Sequence, residues 1–262
     1  MANYNDYITY INSIIDEDIT DMNFKNNNKY TLVLENLTKT YGSEYLKKIE
    51  EDFPNITYED LKEYINLNDK YGSSIKTIFT TKNMKLLYCS PTCIRYIYHA
   101  LLILSYLKKI NCKKVIEVGA GYGGLFLAIN VYAPKLEVDI EQYYIVDLKE
   151  VIPLIKKNLL AHKKSISISL ELYSNENYGE YIKDTDALFI SNYCFTAISE
   201  NERKKYTDTL VKNSPYGFIV WQTCFGLSID NTDTILNKTV QLKEEETPQT
   251  ANPCHKNYYV LW

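Results

Sequence analysis

The chain has 262 residues, 45% hydrophobic and 24% charged, with 29 Lys and Arg against 33 Asp and Glu for a net charge of -4. That length buries a full core, as one large domain or one domain with an appendage, and the acidic balance argues against a nucleic-acid groove, which needs surplus Lys/Arg to neutralise phosphate. Six cysteines (Cys89, Cys93, Cys112, Cys194, Cys224, Cys254) form neither a CxxC pair nor a Cys/His cluster at zinc spacing, so buried reduced thiols and no metal site are expected.

Residues 1–20 are acidic and tyrosine-rich, without the basic and apolar regions of a secretory signal, which predicts a cytoplasmic protein. Helix-like segments follow at Tyr4–Asp18, Glu44–Asp52 and Tyr58–Ile65, separated by Asn26-Asn27-Asn28 and Phe53-Pro54-Asn55. Residues 1–85 therefore read as an N-terminal helical cap on the substrate side, and 86–262 as the cofactor-binding domain. Ser90-Pro91 suits the N-cap and first turn of a helix running to Leu107. Its apolar run from Ile94 is interrupted by Arg95, His99 and Ser105 and is too short to span a bilayer, so no membrane insertion is expected.

A short apolar strand, Lys114–Val118, then runs into Gly119-Ala120-Gly121-Tyr122-Gly123-Gly124. Glycines of this density serve a tight turn or close backbone approach to a ligand, and the following helix start favours polar or anionic groups. The spacing Gly119, Gly121, Gly124, with Asp147 ending the later run Tyr143–Val146, satisfies a dinucleotide fingerprint. The same residues read as Glu117-x-Gly119-x-Gly121-x-Gly123 resemble motif I of class I S-adenosylmethionine-dependent methyltransferases. NAD and S-adenosylmethionine both remain open on the glycines alone.

From residue 113 onward strands and helices alternate: strands at 114–118, 142–147, 166–172, 187–192 and 217–222, helices at 123–132, 149–161, 176–182 and 199–213. Two final strands, 238–243 and 256–262, have no helix between them and so pair antiparallel. This pattern predicts an α/β fold, mostly parallel with an antiparallel last strand, which resembles the Rossmann-like seven-stranded methyltransferase sheet.

Several ordered segments resemble the sugar O-methyltransferase family: Ile116–Leu125 (IEVGAGYGGL), Tyr143–Val151 (YYIVDLKEV), Ser191–Phe195 (SNYCF), and the closing pattern of Glu246, Pro248, Thr250, Asn252 and Trp262. The resemblance implies S-adenosylmethionine as cofactor and a sugar or nucleotide-sugar as acceptor. It departs at Thr196-Ala197, where the family carries Ser-Glu; a catalytic role there would have moved or been lost. Residues 1–85 lie outside it.

Ligands in open α/β sheets lie beyond the carboxyl ends of the strands. This places Glu117, Gly119, Gly121, Tyr122, Gly123, Asp147, Leu148, Ser174 and Asn192 at the cofactor. Asp147 is assigned to the ribose diol, since a carboxylate accepts two hydrogen bonds; capping the next helix is its alternative role. Tyr193, Gln222, Glu246 and Asn252 are candidates for the acceptor. An antiparallel last strand begins at that same edge, so the loop 244–255 brings His255 there, and a neutral imidazole suits a general base. Turn stabilisation is the competing role for Glu246 and Asn252. Three functions follow: a sugar O-methyltransferase, an NAD-dependent oxidoreductase, or a catalytically silent methyltransferase fold serving as a binding subunit. A homo-oligomer is compatible with each.

Overall fold

Where the sequence alternates short apolar runs with amphipathic segments, the computed structural model, which describes residues 4–183, 186–251 and 254–262, has strands and helices in turn. The chain divides into two units, neither of them one continuous stretch. The first takes the chain up to Tyr106 with Gly121–Val138 and Glu150–Ser167; the second takes Leu107–Ala120, Asp139–Lys149 and the chain from Ile168 on.

The first unit contains α1 (Tyr4–Ile14), α2 (Asn28–Thr31), α3 (Lys39–Asp52), α4 (Tyr58–Asn68), a hairpin of β1 (Thr77–Thr80) and β2 (Leu86–Cys89), most of α5 (Pro91–Ile110), and α6 (Gly124–Tyr132) and α7 (Ile152–Ala161). Local chemistry sets the starts. Thr57 and Asp60 form a reciprocal capping box on α4, with Asp60 N–H donating to Thr57 Oγ1 at 3.2 Å and Thr57 N–H to Asp60 Oδ2 at 2.8 Å. Ser90 Oγ accepts from Cys93 N–H at 3.2 Å ahead of Pro91, as the Ser-Pro pair predicts. The unit's core is aromatic: Phe24, Tyr30, Tyr45, Tyr64, Phe79, Tyr122 and Tyr132 are fully buried. Buried phenols need partners; Tyr64 donates to Gly124 O at 2.9 Å and Tyr132 to Asp60 O at 3.1 Å.

The second unit holds the main sheet: β3 (Lys114–Val118), β4 (Gln142–Asp147), β5 (Leu170–Ser174), β6 (Leu188–Asn192), β7 (Tyr216–Gln222), β8 (Leu242–Glu245) and β9 (Asn257–Leu261), with α8 (Tyr178–Tyr181), α9 (Glu200–Tyr206) and α10 (Thr232–Leu236) between strands. Spatial order is β5-β4-β3-β6-β7-β9-β8, and β9 runs antiparallel to both its neighbours. This is the Rossmann-like methyltransferase arrangement expected from the sequence. One face of the sheet packs Ile116, Val118, Val146, Phe189, Ile219, Trp221 and Val260 with Tyr178, Tyr206, Leu210 and Leu236. Val115, Ile145, Leu188 and Val220, on the opposite face, are buried as well, which is why the parallel strands read as continuous apolar runs. Trp262 covers Gly217, where a Cβ would lie 2.1 Å from its ring.

Some boundaries differ from expectation. The strand read at 166–172 forms at 170–174, because Asn130 holds the preceding backbone: its Nδ2 donates to Ser165 O at 2.7 Å and its Oδ1 accepts from Ser167 N–H at 2.9 Å. The helix read from 149 begins at Ile152, next to Pro153, which tolerates only the first helical turn. The strand read at 238–243 starts at Leu242, since Asn237 adopts a left-handed conformation at the end of α10. Within residues 1–85, read from the sequence as helical, Thr77–Thr80 belongs to a hairpin, whose Ile78 and Phe79 face opposite sides.

Candidate functional site

The tips of the parallel strands form one polar edge in the second unit. Asp147 pairs with Ser174 across β4 and β5, Val118 with Val146 just before Gly119, and Gln222 at the end of β7 with Asn257 at the start of β9. After β3 the chain builds outward through β4 and β5, then returns to β6 on the other side. Gly119, just after β3, and Asn192, at the end of β6, therefore lie at the topological switch point, where open α/β sheets bind ligands.

Gly119 has φ +84° and donates its N–H to Val146 O at 3.0 Å. A Cβ here would lie 2.3 Å from Cys194 Cβ, so the left-handed turn and the loop after β6 require glycine together. The loop is tied back through Ser191, whose hydroxyl donates to Val118 O at 2.8 Å and accepts from Phe195 N–H at 3.1 Å. Glu117, with 2% exposure, accepts from Tyr143 OH at 2.8 Å. Burial, against that hydrogen bond and with help from the neighbouring Asp147 charge, pushes its carboxyl up to about 8. Burial and the two nearby acids likewise push the Cys194 thiol up to about 12, so it is no thiolate nucleophile.

Asp147 ends β4, and its Oδ1 accepts from Leu148 N–H at 2.7 Å while its carbonyl accepts from Asn175 N–H at 2.8 Å. It does not cap α7, which starts five residues later behind Val151 with no side-chain cap. Ser174 spends its hydroxyl locally, donating to Asn177 Oδ1 at 2.9 Å. Asn192 and Tyr193 are half-buried at the end of β6, and Tyr193 has φ +61°.

The loop between β8 and β9 leaves and returns at this edge. Glu246 is 1% exposed, and its carboxylate accepts from the Tyr193 hydroxyl, from Thr250 Oγ1 at 3.1 Å and from Asn257 Nδ2 at 2.8 Å. Those contacts are the turn-stabilising role weighed against acceptor binding. His255 is exposed two residues before β9, and Gln222 is half-buried with its N–H donating to Thr196 Oγ1 at 3.3 Å. Asn252 lies outside the described residues.

The glycine-rich segment continues into the first unit, where Gly121 and Gly123 have φ of +65° and +84°. The Tyr122 side chain is buried there, donating to Glu35 Oε1 at 2.8 Å or Asn68 Oδ1 at 3.1 Å, beneath the buried Lys25 ammonium 4.1 Å from its ring centre. Burial lowers the Lys25 pKa despite nearby Glu35 and Asp69, and burial raises that of Glu35 despite Lys25 and Tyr122. Sequence reasoning passed over Glu35 and Lys25, separated from Tyr122 by many residues and carrying no motif; Cys194 lay inside a recognised segment but no spacing linked it to Gly119. Among the described residues no group of three or more His, Cys, Asp or Glu could hold a metal ion.

A family model described as lysine methyltransferase matches residues 68–198. Similar crystal structures include an S-adenosylmethionine-dependent methyltransferase from Clostridium acetobutylicum (10% identity, 62% of this chain and 89% of that one, TM-score 0.47). The N-terminal domain of EvdMO1 in the presence of SAH and D-fucose is another (10% identity, 63% and 81% covered, TM-score 0.48). A third is magnesium protoporphyrin IX methyltransferase from Synechocystis with bound SAM (10% identity, 82% and 95% covered, TM-score 0.46). No curated protein matches the sequence.

Proposed function

This chain belongs to the lysine methyltransferase family, and from that premise we propose that it transfers a methyl group from S-adenosylmethionine to a sugar hydroxyl, free, nucleotide-linked or within a glycan. The family decides the cofactor left open by the glycines: it is S-adenosylmethionine. The residues fit that group. Gly119 turns in a left-handed conformation with no room for a Cβ, and Asp147 supplies a carboxylate at the next strand end. When bound, the cofactor supplies an electrophilic methyl on a sulfonium.

In this reading Asp147 accepts from the ribose hydroxyls, while Gly119, Leu148, Ser174 and Asn192 line the cofactor together with Glu117; Gly121, Tyr122 and Gly123 are assigned to it on the sequence motif alone. Tyr193 and Gln222 orient the acceptor, His255 takes its proton, and Glu246 acts by holding Tyr193 and the loop in place. Asn252 is assigned to the acceptor on the sequence resemblance alone. The observation that carries the reading is the buried Glu246 carboxylate, which pins the loop at the strand tips while His255 stays exposed.

A lysine amine is the second reading, favoured by the family match itself. A neutral amine needs no strong base to attack, and an amide oxygen such as that of Asn192 is a sufficient acceptor for its N–H. Incubation with labelled methyl donor and two acceptor panels, sugars with nucleotide-sugars and lysine peptides, separates the two. Label confined to the peptides defeats the sugar assignment, and label on neither, with tight S-adenosylhomocysteine binding retained, indicates a silent binding subunit.

A further inference from the structure

The hairpin of the first unit has two apolar faces where an antiparallel pair needs only one. Register pairs Ile78 with Tyr88, Phe79 with Leu87 and Thr80 with Leu86. Phe79, Leu87 and Cys89 point inward and are buried. Outward stand Ile78, Leu86 and Tyr88, which are 51%, 60% and 65% exposed; Met84 in the turn reaches 79%, and Ile75 just before β1 reaches 63%. So dense an apolar patch on a small sheet marks a contact surface.

Charge indicates what it contacts. Residues 73–92 contain no Asp or Glu but carry Lys76, Lys82 and Lys85, in a chain whose net charge is -4. Lys85 and Lys62 both lie over the Tyr58 ring, at 4.6 and 5.4 Å, and Tyr58 OH donates to Leu86 O at 2.9 Å, which fixes this basic group beside the outer strand. Acids near this segment include Glu50, which accepts from Lys82 N–H at 2.8 Å, Glu59, which pairs with Lys62 at 3.7 Å, and Asp69, which is buried on the inner side and accepts from Ser74 Oγ at 3.1 Å and Ser90 N–H at 2.7 Å. A second copy would set lysines against lysines.

We propose that this hairpin docks on an anionic lipid surface, with Met84, Leu86 and Ile78 entering the acyl boundary, Tyr88 at headgroup level and the lysines on the phosphates. Such placement follows the preferences of apolar, aromatic and basic side chains at a bilayer interface. It is peripheral docking: among the described residues no helix is long and apolar enough to cross a membrane.

The test is flotation of the full chain with vesicles of phosphatidylcholine alone or with about one third phosphatidylglycerol, at low and high salt. Binding to the anionic vesicles only, weakened by salt, is expected. Lys82→Gln with Lys85→Gln should lower partitioning roughly fivefold per lysine, and Met84→Ser with Leu86→Ser should abolish it. Met84→Trp reports insertion directly as a blue-shifted emission, against a background from Trp221 and Trp262, which are both buried. It also serves as the readout should the double serine variant lose its circular-dichroism signal. Equal binding to neutral vesicles, no binding to either, or an unshifted Met84→Trp emission overturns the proposal. So does a dimer that the serine changes dissociate, or capture by an acidic protein without lipid affinity.

Discussion

Tyr143 OH donates to Glu117 Oε2 at 2.8 Å within the sheet, and the pair holds a carboxyl group that burial and Asp147 together keep protonated well above the ordinary range, to about 8. The unfolded chain releases that proton near the usual 4.5. Between those limits the native state binds more protons, so this group's contribution to stability is complete below about 4.5 and lost as pH rises to about 8. Denaturant unfolding at intervals across this window should show wild type losing up to about 1.4 kcal/mol per pH unit relative to Glu117→Gln, which carries no titrating proton. Parallel profiles would remove Glu117 as the titrating group.

Gly119→Ala tests the close approach to Cys194. The left-handed backbone alone costs about 1 kcal/mol, and overpacking adds about 1–3 kcal/mol, so the melting temperature should fall by several degrees. Adding Cys194→Gly removes the atom 2.3 Å away and should recover the steric part only. A Cys194→Gly background that gives no recovery would mean that the strain lies elsewhere in the turn.

Glu246→Ala leaves the donors of Tyr193, Thr250 and Asn257 without their carboxylate and should cost about 2–4 kcal/mol. Tyr193→Phe removes one of the three and should cost about 1 kcal/mol. Hydrogen exchange of the loop amides should accelerate in both variants, more in the first. Unchanged protection would detach Glu246 from loop positioning.

For the cofactor, Asp147→Ala should weaken S-adenosylhomocysteine binding about 100-fold by calorimetry, as expected for two charge-assisted hydrogen bonds of roughly 1.5 kcal/mol each. Asp147→Asn should fall between, since an amide oxygen accepts without charge. An unchanged dissociation constant withdraws the ribose assignment.

His255→Ala should lower kcat about 100-fold or more for the methylated acceptor while leaving donor affinity and the melting temperature unaltered, because the side chain is exposed and removed from the core. Retained activity would move the base elsewhere without touching the fold.

The glycine-rich turn, the antiparallel ending of the sheet and the cap at Ser90 were legible because each rests on local chemistry or a short-range pattern, whereas the capping box at Thr57 emerged only with the structure. The start of β5 was not: the Ser-Ile alternation of 165–168 suits a strand, but the distant Asn130 takes its backbone groups. Nor was the hairpin at 77–89, whose apolar outer residues masked the alternation that marks a half-buried strand.

The sequence by itself determined the α/β class, the position of the glycine turn and the acidic residue ending the next strand, since periodicity and turn chemistry act over a few residues. Only the tertiary structure decided that Glu117 is held neutral, that Glu246 is spent on the Tyr193 loop, and that Gly119 makes room for Cys194. Those properties depend on desolvation and on contacts between residues far apart in the chain, which no local pattern encodes.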